Sequence, residues 1–82
     1  MRINESQGCA LVCMIHRSGE NRTPAIAFVT KAQDTYTIVT IAQTNTGKGI
    51  TLEDGIPRVN GFSSSKLILV IPFGCTVMIS ES

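Results

Sequence analysis

The chain has 82 residues, enough for one small domain, and we expect a single β domain over residues 1–82. Seven Lys and Arg against six Asp and Glu give a net charge of +1, which argues against a nucleic-acid binder with a broad basic face. Only 16% of residues are charged whereas 43% are hydrophobic, so disorder is excluded. So little polar cover on so small a chain favours contact with a partner.

The residue types predict strands. Ile, Val and Thr together make up 25 of the 82 residues, and their β-branched side chains favour a pleated sheet over a helix. Residues 1–8 are predicted to be a polar lead-in. Six segments then have the apolar or alternating pattern of strands: residues 9–16, 25–30, 36–44, 50–52, 66–71 and 75–79.

The connections between these segments carry turn residues. Residues 31–34 are predicted to turn the chain, and Asp54-Gly55 has ordinary turn chemistry. Asn60-Gly61 is a strong two-residue hairpin signal, and residues 66–71 and 75–79 are predicted to form a final hairpin across residues 72–74. The fold class is therefore all-β, a small barrel or sandwich of six to seven short antiparallel strands.

Two predicted strands are apolar on both faces, residues 9–15 and residues 66–71. In a small barrel one face of each strand would meet water, so a second subunit is the simplest cover for the outer face. For residues 9–16 a helix is the alternative, because Gly19 could serve as the residue that ends a helix after a cationic last turn. We expect a homo-oligomer.

The cysteines and the histidine do not form a convincing metal site. In an extended strand Cys9 and Cys13 are about 13 Å apart, too far to share one zinc ion or a disulfide, and Cys75 lies far off in sequence from His16. No nucleophile has an evident base and orienting group. We therefore expect no enzyme activity, no cofactor and no metal, and leave open whether Cys75 is reactive.

Candidate binding residues come from the loops and strand ends. If the fold gathers the basic side chains at one rim, with an aromatic ring as a stacking platform, single-stranded nucleic acid could bind there. The candidates are Arg17, Arg22, Lys48 and Arg58, with Tyr36 and Phe62 as the platforms. Acidic residues in the same loops partly cancel this charge.

Near its C-terminal end the chain resembles a known family over a short stretch. Leu67-Ile68-Leu69, followed by Gly74, Thr76, Met78 and Ile79, is similar to the opening strand pair of the carbon storage regulators, small dimeric RNA-binding β proteins. The basic pair that such a hairpin carries before its glycine is replaced here by Ile71-Pro72. The resemblance implies RNA binding as an alternative function.

Together these features predict a small interaction protein that self-associates and acts by contacting another protein, of the accessory or inhibitor type that a virus or mobile element would carry. RNA or single-stranded DNA binding through loop Arg and Lys is the alternative. Small-ligand binding at a subunit junction is the third, because hydroxyls of the Thr-rich residues 35–44 could line a polar pocket. The longest apolar run, residues 9–15, is too short to span a membrane, and three cysteines suit a reducing compartment, so we expect a cytoplasmic protein.

Overall fold

A computed structural model describes residues 1–18, 21–43, 49–60 and 67–78. These residues form eight strands and no helix, so the predicted all-β class is confirmed, with more strands than the six or seven expected. The strands are β1 (Arg2–Ile3), β2 (Gly8–Ser18), β3 (Asn21–Ala32), β4 (Thr35–Gln43), β5 (Gly49–Glu53), β6 (Ile56–Asn60), β7 (Leu67–Phe73) and β8 (Val77–Met78).

Four of the strands form one antiparallel sheet in the order β4-β3-β2-β7. The remaining strands form two small antiparallel sheets, β1 with β8 and β5 with β6. The order of the large sheet is open, with β4 and β7 at its edges, and the described residues therefore form no closed barrel. β2 and β3 are the long central strands on which the other elements are arranged.

The strand prediction for residues 9–16 is confirmed, and the helix alternative is wrong. β2 is hydrogen-bonded on both sides, to β3 from Gly8 to Ser18 and to β7 from Cys9 to Ile15. In this central position the backbone N–H and C=O groups of β2 are paired along both edges, which an isolated helix would not allow. Pairing with β3 and β7 thus decides between strand and helix for this segment, a choice that its local residue preferences leave open.

Two tight turns connect neighbouring strands at one end of the molecule. Asp54 and Gly55 have φ angles of 53° and 75° between the paired residues Glu53 and Ile56, as a two-residue hairpin turn with two positive φ angles requires. Gln33 and Asp34 make the same kind of turn between β3 and β4. The predicted Asp-Gly turn is confirmed, while the predicted Asn60-Gly61 hairpin extends outside the described residues.

The predicted final hairpin is wrong. β7 pairs with β2 and β8 pairs with β1, so the two strands continue one long ladder against the start of the chain instead of pairing with each other. Gly74, with a φ angle of 67°, lies at the bend between them. At the matching bend a Cβ on Gly8 would lie 2.7 Å from the Cβ of Cys75, so this approach leaves no room for a side chain.

The polar lead-in predicted for residues 1–8 is also wrong at its start. Met1 and Ile3 are buried, and Ile3 is part of β1. The Ile3 backbone N–H donates to the Tyr36 hydroxyl at 2.9 Å, and the Lys31 Nζ donates to the Ile3 carbonyl at 2.8 Å. These bonds hold β1 against the large sheet. The alternation of Met1 and Ile3 with polar Arg2 and Asn4 is the signal that indicates a half-buried strand here.

The core lies on one face of the large sheet, which we call the inner face. The two small sheets cover this face and contribute Met1, Ile3 and Ile50 to the cluster. The buried side chains that β2 and β3 contribute are Ala10, Val12, Met14, Ala25, Ala27 and Val29.

Candidate functional site

The opposite face of the large sheet, which we call the outer face, carries three rows of side chains that each cross all four strands. The alternation along each strand turns these residues away from the buried core. From β4 to β7 the rows are Thr37, Thr30, Cys9 and Phe73; Val39, Phe28, Leu11 and Ile71; and Ala42, Ile26, Cys13 and Leu69. Ile15 and Ile41 complete the outer face as defined here.

Ile41 lies on this face because β4 has a bulge. Ala27 pairs with Thr40 and Ile26 pairs with Ala42, which leaves Ile41 as the extra residue between them. A bulge places two residues of one strand opposite a single residue of its neighbour. Ile41, which is 55% exposed, therefore adds to the apolar surface at the β4 edge.

Much of this apolar surface is in contact with solvent. Val39 and Ile41 on β4 are 53% and 55% exposed, and Leu69 and Phe73 on β7 are 58% and 51% exposed. The two central strands are better covered, because Phe28 on β3 and Phe73 on β7 meet across β2 with ring centroids 6.4 Å apart. The exposed apolar area is thus concentrated on the two edge strands.

The outer face carries larger side chains than the inner face. Three of the six buried residues that β2 and β3 contribute to the core are alanines. On the outer face the same two strands carry Leu11, Phe28, Ile26 and Ile15. Burial of apolar surface is the main favourable contribution to folding and association, so the exposed apolar side chains at the edges of this face could still contribute to association.

The structure brings two of the predicted basic residues together. Arg17 on β2 and Arg22 on β3 are direct cross-strand partners. They lie beyond Ile15 and Ala25, the last positions of β2 and β3 for which pairing with β7 and β4 is described. Arg22 is exposed.

Arg58 and Tyr36 lie elsewhere and already have partners. The Arg58 Nε lies 3.1 Å from Glu53 Oε2 on the neighbouring strand, an ion pair without an aligned hydrogen bond from that nitrogen. The Tyr36 hydroxyl is bonded to Ile3, and the Lys31 ammonium sits 5.1 Å from the centre of the Tyr36 ring. Tyr36 is therefore a half-buried anchor for β1. Lys48 and Phe62 lie outside the described residues.

Next to Tyr36 an open cleft of about 490 Å³ separates the β3–β4 turn from the β5–β6 turn. Its lining contains two cations, Arg2 and Lys31, and two carboxylates, Asp34 and Asp54, together with Thr35. The Lys31 ammonium is engaged by the Ile3 carbonyl and lies 3.8 Å from the Asp34 carboxylate. The opposite charges of the cleft thus compensate one another within the chain.

The three cysteines divide between the two sides of the sheet. Cys9 and Cys13 are on the outer face, while Cys75 packs against the core and its Sγ donates to the Cys9 carbonyl at 3.3 Å. Within residues 1–18, 21–43, 49–60 and 67–78, no three His, Cys, Asp or Glu residues are grouped closely enough to hold a metal ion.

Two ionisable groups near the start of the chain are perturbed. Backbone hydrogen bonds lower the pKa of Glu5 below its usual value of 4.5, and its Oε1 accepts from the Thr76 N–H at 2.8 Å. Burial, and then the charges of Arg2 and Arg58, lower the pKa of the Met1 amino group, which donates to the Pro57 carbonyl at 3.1 Å. The Met1 amino group thus connects the start of the chain to β6, and Glu5 connects the bend after β1 to the residue before β8.

In the described part of the chain no helix is long and apolar enough to cross a membrane. No protein-family model, no curated protein and no solved structure matches this chain. What supports a function is therefore the chemistry of its own surface, and among the described residues the main apolar feature is the outer face with its exposed side chains on β4 and β7.

Proposed function

We propose that this chain is a non-enzymatic interaction protein that self-associates and acts by contacting another protein. The observation that carries the proposal is the outer face, where Val39, Ile41, Leu69 and Phe73 are all more than half exposed on one surface of a sheet. Contiguous apolar patches of this kind usually mark protein–protein contact sites.

The size of the outer face supports this function. The fourteen outward positions, on strands about 4.8 Å apart and about 6.6 Å from one another along each strand, span a planar area of about 440 Å². This is roughly a tenth of the chain's 4909 Å² accessible surface, the share that one side of a specific interface usually takes. Two such surfaces packed about 10 Å apart would complete the sandwich expected from the sequence.

Sedimentation of the purified chain tests self-association. We expect the average mass to rise from 8.8 kDa toward twice that value as the protein is concentrated through the micromolar range. A purely monomeric species of 8.8 kDa at every concentration would remove the main support for the proposal. The contact with another protein is tested by titrating a candidate partner into the associated and dissociated forms, since a partner of the outer face competes with self-association.

RNA or single-stranded DNA binding is a second candidate function, favoured by the register that makes Arg17 and Arg22 cross-strand partners on β2 and β3. Basic residues at one position of a sheet can bind neighbouring phosphate groups, and such contacts make binding depend on salt. Filter binding over a salt series tests this candidate. Binding that is absent at low salt, or that is unchanged when Arg17 and Arg22 are replaced by Ala, would exclude it.

A further inference from the structure

We propose that the outer face is covered by the outer face of a second copy of this chain, packed sheet against sheet. This inference rests on the proposed function and deepens it by naming the occupant of the surface and the mode of contact. It excludes the other arrangement that the fold offers, in which two copies join edge to edge through β7.

The distribution of exposed side chains favours a face-on contact. Val39 and Ile41 lie on β4, while Leu69 and Phe73 lie on β7, and these two edge strands are three strand spacings, about 14 Å, apart. Pairing along the β7 edge would cover its own side chains and leave those of β4 in water. Only a surface laid across all four strands covers both groups at once.

The chemistry of the outer face matches a second copy of itself. Its fourteen defined positions are aliphatic, Phe, Thr or Cys, and none is charged. A hydroxyl buried in an interface needs a hydrogen-bond partner, and the Thr30 hydroxyl already has one, because it donates to the Thr37 carbonyl at 3.3 Å. An uncharged surface has nothing that repels its own copy, and a two-fold interface requires only that one patch be complementary to itself.

The area is sufficient for a reversible dimer. Two planar faces of about 440 Å² each bury about 900 Å² together, close to the roughly 1,000 Å² at which specific interfaces begin, which suits a weak and reversible dimer. An interface at this limit is expected to exchange between monomer and dimer at accessible concentrations. The inference can therefore be tested by perturbing the equilibrium, without any need to dissociate a permanent assembly.

Charge insertion distinguishes the two modes of contact. Val39→Lys on β4 places an ammonium in the face-on interface but is about 14 Å away from a β7 edge contact. Leu52→Lys is the matched control, because Leu52 is an exposed leucine on β5 outside the outer face. Far-UV circular dichroism checks that both variants keep the sheet, and sedimentation equilibrium gives the dissociation constants.

We expect Val39→Lys to weaken self-association at least about thirtyfold, since an unpaired charge would be buried in each copy, and Leu52→Lys to leave it unchanged. A folded Val39→Lys variant that associates like the wild type would overturn the face-on packing while leaving self-association intact. A wild-type chain that never associates would instead remove the proposed function itself.

Alkylation of Cys13 provides a second measurement that introduces no charge into the outer face. In a chain with Cys9→Ser and Cys75→Ser, Cys13 is the only thiol, and it lies in the third row between Ile26 and Leu69. Its reaction with iodoacetamide should slow in proportion to the monomer fraction, about tenfold where nine-tenths of the chains are dimeric. The control chain keeps only Cys75, which packs against the core, and its rate should not change with concentration.

The outcomes are decisive for the mode of contact. Protection of Cys13 that increases with concentration supports face-on packing. A Cys13 rate that is constant while sedimentation shows a dimer rejects it, because edge pairing through β7 leaves this row open.

Discussion

The inner face of the large sheet packs against β1, β8 and the β5–β6 hairpin, whereas the outer face packs against nothing within the described residues. Both faces are apolar, and they belong to the same strands. The inner face carries small side chains such as Ala10 and Ala27 that allow close approach of the small sheets, while the outer face carries Leu11 and Phe28. The comparison teaches that the hydrophobic pattern of a strand shows whether one or both of its faces are apolar. It does not show whether another part of the same chain or a second molecule packs against each face.

The largest expected difference between the two faces is in stability. Met14→Ala removes a fully buried inner side chain and should lower the free energy of unfolding by about 2–5 kcal/mol, because it leaves a cavity in the core. Leu69→Ala, on the exposed outer face, should cost less than about 1 kcal/mol in the monomer. Urea unfolding at a protein concentration low enough for monomer measures both. Equal losses would show that the outer face is already covered within the chain.

A smaller difference in stability is expected between two variants that each lose one hydrogen bond, one on each face of the sheet. Tyr36→Phe leaves the part-buried Ile3 N–H without its acceptor and should cost about 1–3 kcal/mol. Thr30→Val removes an exposed hydroxyl contact on the outer face and should cost little. Amide hydrogen exchange at Ile3 together with urea unfolding tests this pair. If the Ile3 amide stays equally protected in Tyr36→Phe, the hydroxyl is not what holds β1 on the sheet.

Concentration should affect the two faces differently. If two native copies bind through the outer face, each tenfold rise in protein concentration adds about 1.4 kcal/mol to the free energy of unfolding per dimer. Val39→Lys should abolish this dependence, whereas Met14→Ala should lower stability at every concentration and keep it. Thermal unfolding of the three chains over a concentration series gives the answer. A wild-type midpoint independent of concentration contradicts the dimer.

The smallest expected effect concerns the bend that fastens β1 to the inner face. The pKa of Glu5 is lowered in the folded chain, so its contribution to stability is present above pH 4.5 and is lost as the pH falls through and below that value. Glu5→Gln should therefore flatten the acid side of the stability profile, because the bond from the Thr76 N–H loses its carboxylate acceptor. Melting temperatures between neutral and acid pH measure the effect, and identical acid profiles would rule it out.

Local pattern was sufficient to predict most of the strands. The alternation and β-branched content of β4, the apolar run of β2 and the Asp54-Gly55 turn all identify their elements, because side-chain period and turn chemistry are local properties. The prediction failed at β1, where the alternation of residues 1–4 indicates a strand but the polar majority of residues 1–8 predicts a lead-in. It also failed at β8, where the nearest strand in sequence was taken as the partner.

Of the candidate site, the two-sided apolar character of residues 9–15 and 66–71 could be seen in the sequence, and residues 9–15 and 67–71 lie in β2 and β7. The contribution of β4 to the same surface could not, because it depends on the register of Val39 with Phe28 and on the bulge at Ile41. The pairing of Arg17 with Arg22 likewise follows from register, while Tyr36 and Arg58 have partners that no spacing predicts.

The sequence by itself determined that the chain is β-structured, short of charge and richer in apolar side chains than one small core can bury. Those properties are sums over residues and local periods, and they do not depend on which strand lies beside which. Only the tertiary structure decided that Met1 and Ile3 complete the core and that the excess apolar surface collects on one uncharged face. Strand order and register bring together residues that are far apart in sequence. The free energy of such contacts depends on both partners, so it cannot be read from the pattern of either segment alone.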